Sequence, residues 1–405
     1  MPEVEFVNLF AVAAIAVAAP LLLAFLPPAL RVPAVVLEIV AGIVVGPSVL
    51  GWVDADLPVQ IVALLGLAFL LFLAGLEIDV HRLRGTVLRL ALLSFLLSLA
   101  VGVLAGAGFD AAGWVTSPLL LAVTLSATSL GLVVPVLKDA GKADGTLGQT
   151  VIAACSVADF AAVLLLSLLF STAEGSTGSR VVLLVMFAAT VAVTAVAVSL
   201  AARSRKLGET LVRLQDTTAE IRVRAAVVLL VAFVAMAEAF GLESILGAFL
   251  AGAVVGLLDR DSSSHPRFRV KLDAIGYGFL IPVFFVASGL RLDLAGLVDD
   301  PAALARVPLF LVALLAARGL PALLYGRLVD RRSVAAAALL QATSLPFVVT
   351  ATQIGVLTGL MSPVTAAGLV CAGLLSVLLF PAGALALLRS ARPAPEPAEH
   401  RVEGP

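Results

Sequence analysis

The chain has 405 residues, of which 61% are hydrophobic and only 13% charged, with a mean hydropathy of +1.14. Soluble domains carry about 25% charged residues, so this composition belongs to a membrane protein. The formal net charge of −1 argues against a nucleic-acid partner, and no polar stretch is large enough for a separate nucleotide-binding domain.

Apolar runs of bilayer-crossing length predict about 13 transmembrane helices in an all-α polytopic fold. Their limits are 5–29, 33–51, 58–77, 86–109, 117–137, 146–170, 180–202, 221–240, 243–258, 272–290, 302–327, 333–357 and 363–389. The opening MPEVEF is acidic where a signal peptide is basic, so the first run is expected to be retained as a span. Longer connections fall at 203–220 and 259–271, and the Pro- and charge-rich residues 391–405 are expected to form a disordered cytoplasmic tail. With the N-terminus outside, 22 of the 26 Lys and Arg residues fall on the inner side, while the outer segments carry Asp54, Asp56, Asp110, Glu174, Asp293, Asp299 and Asp300. The C-terminus then lies in the cytoplasm. The Arg-over-Lys bias points to a bacterial cell (inner) membrane.

Three motifs recur in the same order. AGIVVG (41–46) returns as AGAVVG (251–256), FLAGLEIDV (72–80) as FVASGLRLDL (285–294), and ATSL (127–130) as ATSL (342–345). The offsets are 210, 214 and 215 residues, the last two measured from Gly75 to Gly289 and from Ala127 to Ala342. They pair span 2 with 9, 3 with 10 and 5 with 12. A shift of seven spans reverses the crossing direction, which predicts a transmembrane domain over 1–390 built as 6+1+6. Its inverted repeats cover about 5–170 and 221–389, with a linker helix at 180–202. Secondary transporters use this layout and bind substrate near the midplane where the repeats meet.

Both ATSL copies lie mid-span and are followed by proline, Pro135 in the first and Pro346 in the second. Such a sequence suits a discontinuous helix, whose freed backbone groups must find partners that lipid does not offer. A hydroxyl-lined packing face would explain either copy alone; duplication at mirrored depth favours the break, with Ala127, Thr343, Ser344 and Pro346 as the residues that make it.

Asp159 stands fourteen residues into the 25-residue run 146–170, near the bilayer midplane at 1.5 Å per residue. A carboxylate there costs roughly 3 kcal/mol, so it should face the bundle interior and act, unless it only hydrogen-bonds a neighbouring helix. Ser156, one turn earlier, shares its helix face. Arg318 lies nine residues from the inner end of its span, far for snorkelling. It is a fixed positive charge, either balancing the aspartate or a helix end, or serving as a structural counter-ion. Glu38, Glu77 and Asp79 lie toward inner span ends, and Glu238 and Glu243 flank a short outer turn. All five read as interfacial, with Glu38 the one most apt to do more. Cys155 and Cys371 read as small buried residues. His81, His265 and His400 fall in polar segments, which argues against an intramembrane metal. Aligning Cys155 with Cys371 places Leu375 opposite Asp159, and Arg318 opposite the region of Val101. Each of the two charges therefore occurs once while the ATSL scaffold occurs twice.

These residues resemble the monovalent cation:proton antiporter superfamily, in particular the branch with the Kef-type and sodium/proton exchangers. The resemblance rests on VVLEIVAGIVVGPSVLG (35–51), LLFLAGLEID (70–79), LSATSLGLVVPVLKDAG (125–141), the Asp159 helix, LGAFLAGAVVG (246–256), IPVFFVASGLRLDL (281–294) and QATSLPFVVTATQIG (341–355). It runs from about residue 5 to 388. It implies a homodimer with a scaffold domain at the interface and a mobile core carrying two crossed discontinuous helices. It also implies that Asp159 binds the ion, with Thr128 and Ser129 as the polar pair at the first break and Arg318 as the basic residue of the penultimate core helix. Ala158 precedes Asp159 where Kef-type members carry glutamine and electroneutral exchangers asparagine, so the choice among alkali cations stays open.

The expected function is secondary antiport of Na+ or K+ against H+, electroneutral, by competition at Asp159. Thr128, Ser129, Ser156 and backbone oxygens would complete the alkali-cation ligands. No cofactor is implied beyond the transported ions, and the partners are membrane lipid, cation, proton and a second copy of the chain. A potassium efflux channel or a sodium-coupled organic-anion symporter on the same fold are the alternatives. An enzyme is the least expected, because no nucleophile–base or metal constellation lies within the spans.

Overall fold

The computed structural model describes residues 6–25, 33–77, 85–170, 177–202, 220–258 and 266–389. The expected tail 391–405, Asp79, the three histidines and most of the two long connections lie outside these residues. The described residues are helical, with no strand: α1 (Val7–Phe25), α2 (Ala34–Val45), α3 (Leu57–Leu76), α4 (Gly85–Ala111), α5 (Pro118–Ser126), α6 (Leu130–Asp139), α7 (Thr146–Phe170), α8 (Thr177–Ala202), α9 (Ile221–Ala239) and α10 (Ser244–Leu258). They continue as α11 (Pro266–Ile275), a π-helical turn (Gly276–Leu280), α12 (Ile281–Leu290), α13 (Leu294–Asp299), α14 (Pro301–Gly319), a 3-10 segment (Leu320–Arg327), α15 (Arg331–Gln341), α16 (Pro346–Leu357) and α17 (Pro363–Arg389).

Among the described residues, nine helical spans are long and apolar enough to cross a membrane by length and composition, and Ala34–Val45, Val181–Thr194 and Ser244–Leu258 are shorter apolar helices. α9 carries Arg222, Arg224 and Glu238, which sets it apart from those nine. Each of the thirteen expected runs thus contains helix.

Local chemistry places the helix starts. Asp56 accepts the Val59 N–H at 3.1 Å and caps α3, and Ser117 does the same for Leu120 at 3.4 Å ahead of Pro118 in α5. Pro346 opens α16, where its missing N–H removes a donor that would be unpaired anyway.

The helices pack as two bodies. In one, α2 lies on α1 and α12, while α3 lies on α10 and α12, and α9 on α10. In the other, α4 lies on α5 and α7, α14 on α17 and α4, and α15 on α17 and α14. α8 touches α7 on one side and α9 and α10 on the other.

The first body is held by two glycine seams. A Cβ on Gly42 would overlap the Val286 carbonyl and one on Gly289 the Ile39 carbonyl, so α2 and α12 meet backbone to backbone. A Cβ on Gly252 would overlap the Phe72 carbonyl and one on Gly75 the Phe249 carbonyl, so α3 and α10 meet in the same way. Gly42 is the sequence counterpart of Gly252, and Gly75 of Gly289. One contact is therefore used twice with its partners exchanged, which is the small-residue packing expected of membrane helices.

Candidate functional site

Both ATSL segments interrupt their helices. Residues 127–129 separate α5 from α6, and 342–345 separate α15 from α16. The two breaks touch: the Thr128 hydroxyl, almost fully buried, donates to the Gln341 carbonyl at 2.9 Å and lies 3.5 Å from that of Thr343. Gln341 is the last residue of α15, so a hydroxyl from one break satisfies an orphan carbonyl at the other.

Asp159 of α7 meets the start of α6. Its Oδ2 accepts the Leu130 N–H at 3.2 Å, where the N-terminal end of the half-helix presents partial positive charge. Its Oδ1 is buried and has no hydrogen-bond partner. Asp159, Thr128 and Ser129 line a cavity of about 510 Å³ between the two bodies. The free carboxylate oxygen is an acceptor without a donor, a need that a proton or a small cation could meet.

Ser156 is not brought into this cavity. Its hydroxyl donates to Ile152 of its own helix at 2.9 Å, and it is absent from the cavity lining. Sharing a face with Asp159 placed it on the right side of α7, but the carbonyl one turn back claims its hydrogen.

Arg318, at the end of α14, is 0% exposed. Its Nη1 donates to Ser98 Oγ of α4 at 3.0 Å, its Nε lies 3.4 Å from the Gln341 carbonyl, and its Nη2 has no partner. Among the described residues no carboxylate pairs with it at salt-bridge distance. Its charge is set against the negative C-terminal end of α15. The Gln341 side chain continues the network by donating to the Tyr325 hydroxyl at 3.0 Å, which donates to Ser94 Oγ at 3.1 Å. Ser94 and Ser98, one turn apart on α4, hold this pillar in place. At the second break Ser344 N–H donates to Ser376 Oγ of α17 at 3.3 Å. The residue that serves this break is therefore Ser376, one position beyond the expected counterpart Leu375.

The cavity also holds acids read from sequence as interfacial. Glu38, 5% exposed, lines it from α2, and Glu77 lines it from the end of α3 with a buried Oε2 that has no hydrogen-bond partner. Asp273 and Tyr277, which the motifs do not mark, line it from α11 and the π-helical turn. Two signals could have found them. Glu77 sits two residues after the repeated Gly75, and Tyr277 stands between Gly276 and Gly278 in an otherwise bulky apolar run.

A family model described as "Sodium/hydrogen exchanger, transmembrane" matches residues 13–389. The chain belongs to this sodium/hydrogen exchanger family. Among its relatives, the Bacillus subtilis protein YjbQ is 33% identical over 356 residues, covering 83% of this chain and 56% of YjbQ. The chain thus spans just over half the length of that relative. A Na+/H+ antiporter of Enterococcus hirae is 30% identical over 269 residues, covering 65% of this chain and 67% of its own length. The solved sodium proton antiporter MjNhaP1 of Methanocaldococcus jannaschii matches with a TM-score of 0.63 at 18% identity, over 94% of this chain and 98% of MjNhaP1. That likeness shows the exchanger family's polytopic helical fold, in agreement with the resemblance read from the motifs.

Proposed function

We propose that the chain exchanges an alkali cation for a proton, with the two competing for Asp159. The observation that carries this reading is the unpartnered Asp159 Oδ1 at a cavity beside a helix break. The family match and the names of the relatives support it, and those names make Na+ the first cation to test. The carboxylate binds either ion, and Thr128, Ser129 and the carbonyls freed at the breaks offer the hard oxygen ligands that a cation losing its water requires. Ser156, which does not line the cavity, would join only if α7 turned it toward the ion.

One proton should exchange per cation. Asp159 rides on α7 in the second body, together with the fixed charge of Arg318, while Glu38 and Glu77 belong to the first body and stay behind. Those two acids would concentrate cations at the cavity mouth. The positive-inside pattern makes that mouth cytoplasmic, with the N-terminus outside and the C-terminus inside. The lipid-facing multi-pass domain over 1–390 and a homodimer complete the proposal. α1 fits such a dimer, since it buries only Val12 and Ala19 against the rest of the chain.

The test uses proteoliposomes with an imposed pH gradient, a trapped pH reporter and the membrane potential clamped, to which Na+, K+ and Li+ are added in turn. Collapse of the gradient by one of these cations, without current, is the expected result and names the ion. Cation flux without proton movement would make the chain a channel or a symporter. A cation-dependent current would break the one-to-one stoichiometry.

A further inference from the structure

The seam between the two bodies is open to Asp159 on one side and shut off from it on the other. Toward the ends of α3 and α6 it holds the 510 Å³ cavity. Toward the opposite face the seam holds a smaller cavity of about 120 Å³ between α12, α16 and α17, which Ser288 and Gln353 line and Asp159 does not. The gap beside it, lined by Leu67, Phe284, Ser288 and Gln353, is only about 10 Å³, at the lower limit for one water molecule. Hydrogen bonds between described residues cross the seam on that side. Gln353 of α16 donates through Nε2 to Ser288 Oγ of α12 at 2.9 Å, and the Glu243 N–H, at the head of α10, donates to Ser167 Oγ of α7 at 3.1 Å. Ser288 itself donates to Phe284 O at 2.7 Å, which leaves its lone pairs aimed at Gln353.

A glutamine amide inside an apolar helix is costly unless paired, and its partner here belongs to the other body. The bond therefore exists only while the seam is closed on this face. To present Asp159 to the opposite face, the seam must open where it is now shut, and Gln353 must let go of Ser288. We propose that the Gln353–Ser288 hydrogen bond is the latch that sets the balance between the form seen here and the form open to the opposite face. Gln353 and Ser288 are thus positioning residues for the exchange cycle and do not bind the ion. The inference rests on the exchange reading for its purpose but not for its measurement.

The test uses the full chain in detergent, with one reporter cysteine on each side of the seam: Leu67→Cys beside the latch and Ala74→Cys in the large cavity. The parent without a reporter gives the background from Cys155 and Cys371. Ser288→Ala and Gln353→Leu should raise the rate of modification by a thiol reagent at Leu67→Cys about two- to tenfold, the factor one net hydrogen bond is worth, and lower it at Ala74→Cys. Ser288→Thr keeps the hydroxyl and should leave both rates near those of the parent. Unchanged rates in the latch variants would overturn the proposal, as would an equal rise at both reporters, which marks general loosening, or a Ser288→Thr that behaves like alanine. Repeating the pair in an Asp159→Asn background separates the two readings. A rate shift that survives there upholds the latch whether or not exchange depends on Asp159.

Discussion

The two helix breaks share a sequence and differ in chemistry. At the first, ATSL faces Asp159, whose Oδ2 takes the Leu130 N–H and whose Oδ1 is left free. At the second, ATSL faces Ser376, a neutral hydroxyl that takes the Ser344 N–H and donates to Gly373 O at 2.7 Å. The charge near the second break is Arg318, set against the Gln341 carbonyl. Each charge thus meets the helix end of opposite polarity, the acid at an N-terminus and the base at a C-terminus. The repeated motif supplies both breaks; single, unduplicated residues give each its own chemistry, a carboxylate with a free oxygen at one and a neutral hydroxyl at the other.

Asp159→Asn and Ser376→Ala sharpen this contrast most. The first should bring cation-driven proton movement down to that of protein-free liposomes, with the protein still monodisperse and folded. The second should retain exchange and lose stability, by about 1–3 kcal/mol for the buried Ser344 N–H left without a partner, read as a lowered thermal unfolding midpoint. Equal loss of exchange in both would mean that the breaks are functionally equivalent.

Arg318 comes next. Lysine keeps the charge but loses the planar fork that reaches Ser98 and Gln341 together, whereas glutamine loses both. Exchange should fall in the order wild type, Arg318→Lys, Arg318→Gln, with the glutamine variant at least about tenfold down, the factor that 1.4 kcal/mol of lost charge-assisted bonding represents. Wild-type exchange in Arg318→Gln would reduce the arginine to a packing residue.

The smallest effect lies at the far end of α15, the half-helix that leads into the second break. Asp330 caps it, with Oδ1 accepting the Ser333 hydroxyl at 2.6 Å and Oδ2 the Arg332 and Ser333 N–H groups at 3.1 and 3.3 Å. The Ser333 hydroxyl above all, then these backbone bonds, hold the carboxyl below its usual 3.8. A carboxyl depressed by folding stabilises the fold at pH above that usual value, and the contribution fades as pH falls through the lower folded value. Asp330→Asn should therefore be slightly less stable than wild type at neutral pH, with the difference closing below about pH 4. A difference independent of pH would assign the cap to geometry alone.

Much of this was legible in the residues. The repeated ATSL located both breaks because two prolines and a run of hydroxyls interrupt apolar spans at mirrored depth. Asp159 and Arg318 stood out because an uncompensated charge at mid-membrane is rare. The glycines of AGxVVG and AGLE/ASGL were visible as parts of a repeat, but a repeat does not say that α2 meets α12 and α3 meets α10 through them. Glu77 was hidden because an acid at a span end looks the same whether it faces headgroups or a cavity. Helical spacing put Ser156 on the face of Asp159 and could not show that it lies outside the cavity lining, with its hydroxyl on the Ile152 carbonyl. The Arg318–Gln341–Tyr325 pillar could not be read at all, since its footing, Ser94 and Ser98, lies more than two hundred residues away in sequence.

Competition at Asp159 is tested most directly by measuring the apparent KM for the transported cation, on the cavity side, across a series of pH values in proteoliposomes. If proton and cation exclude each other at one carboxylate, KM should rise about tenfold per unit as pH falls through the acid limb, while the maximal rate at saturating cation stays constant. A KM that holds steady while the maximal rate falls would place the proton on a different group and contradict the account.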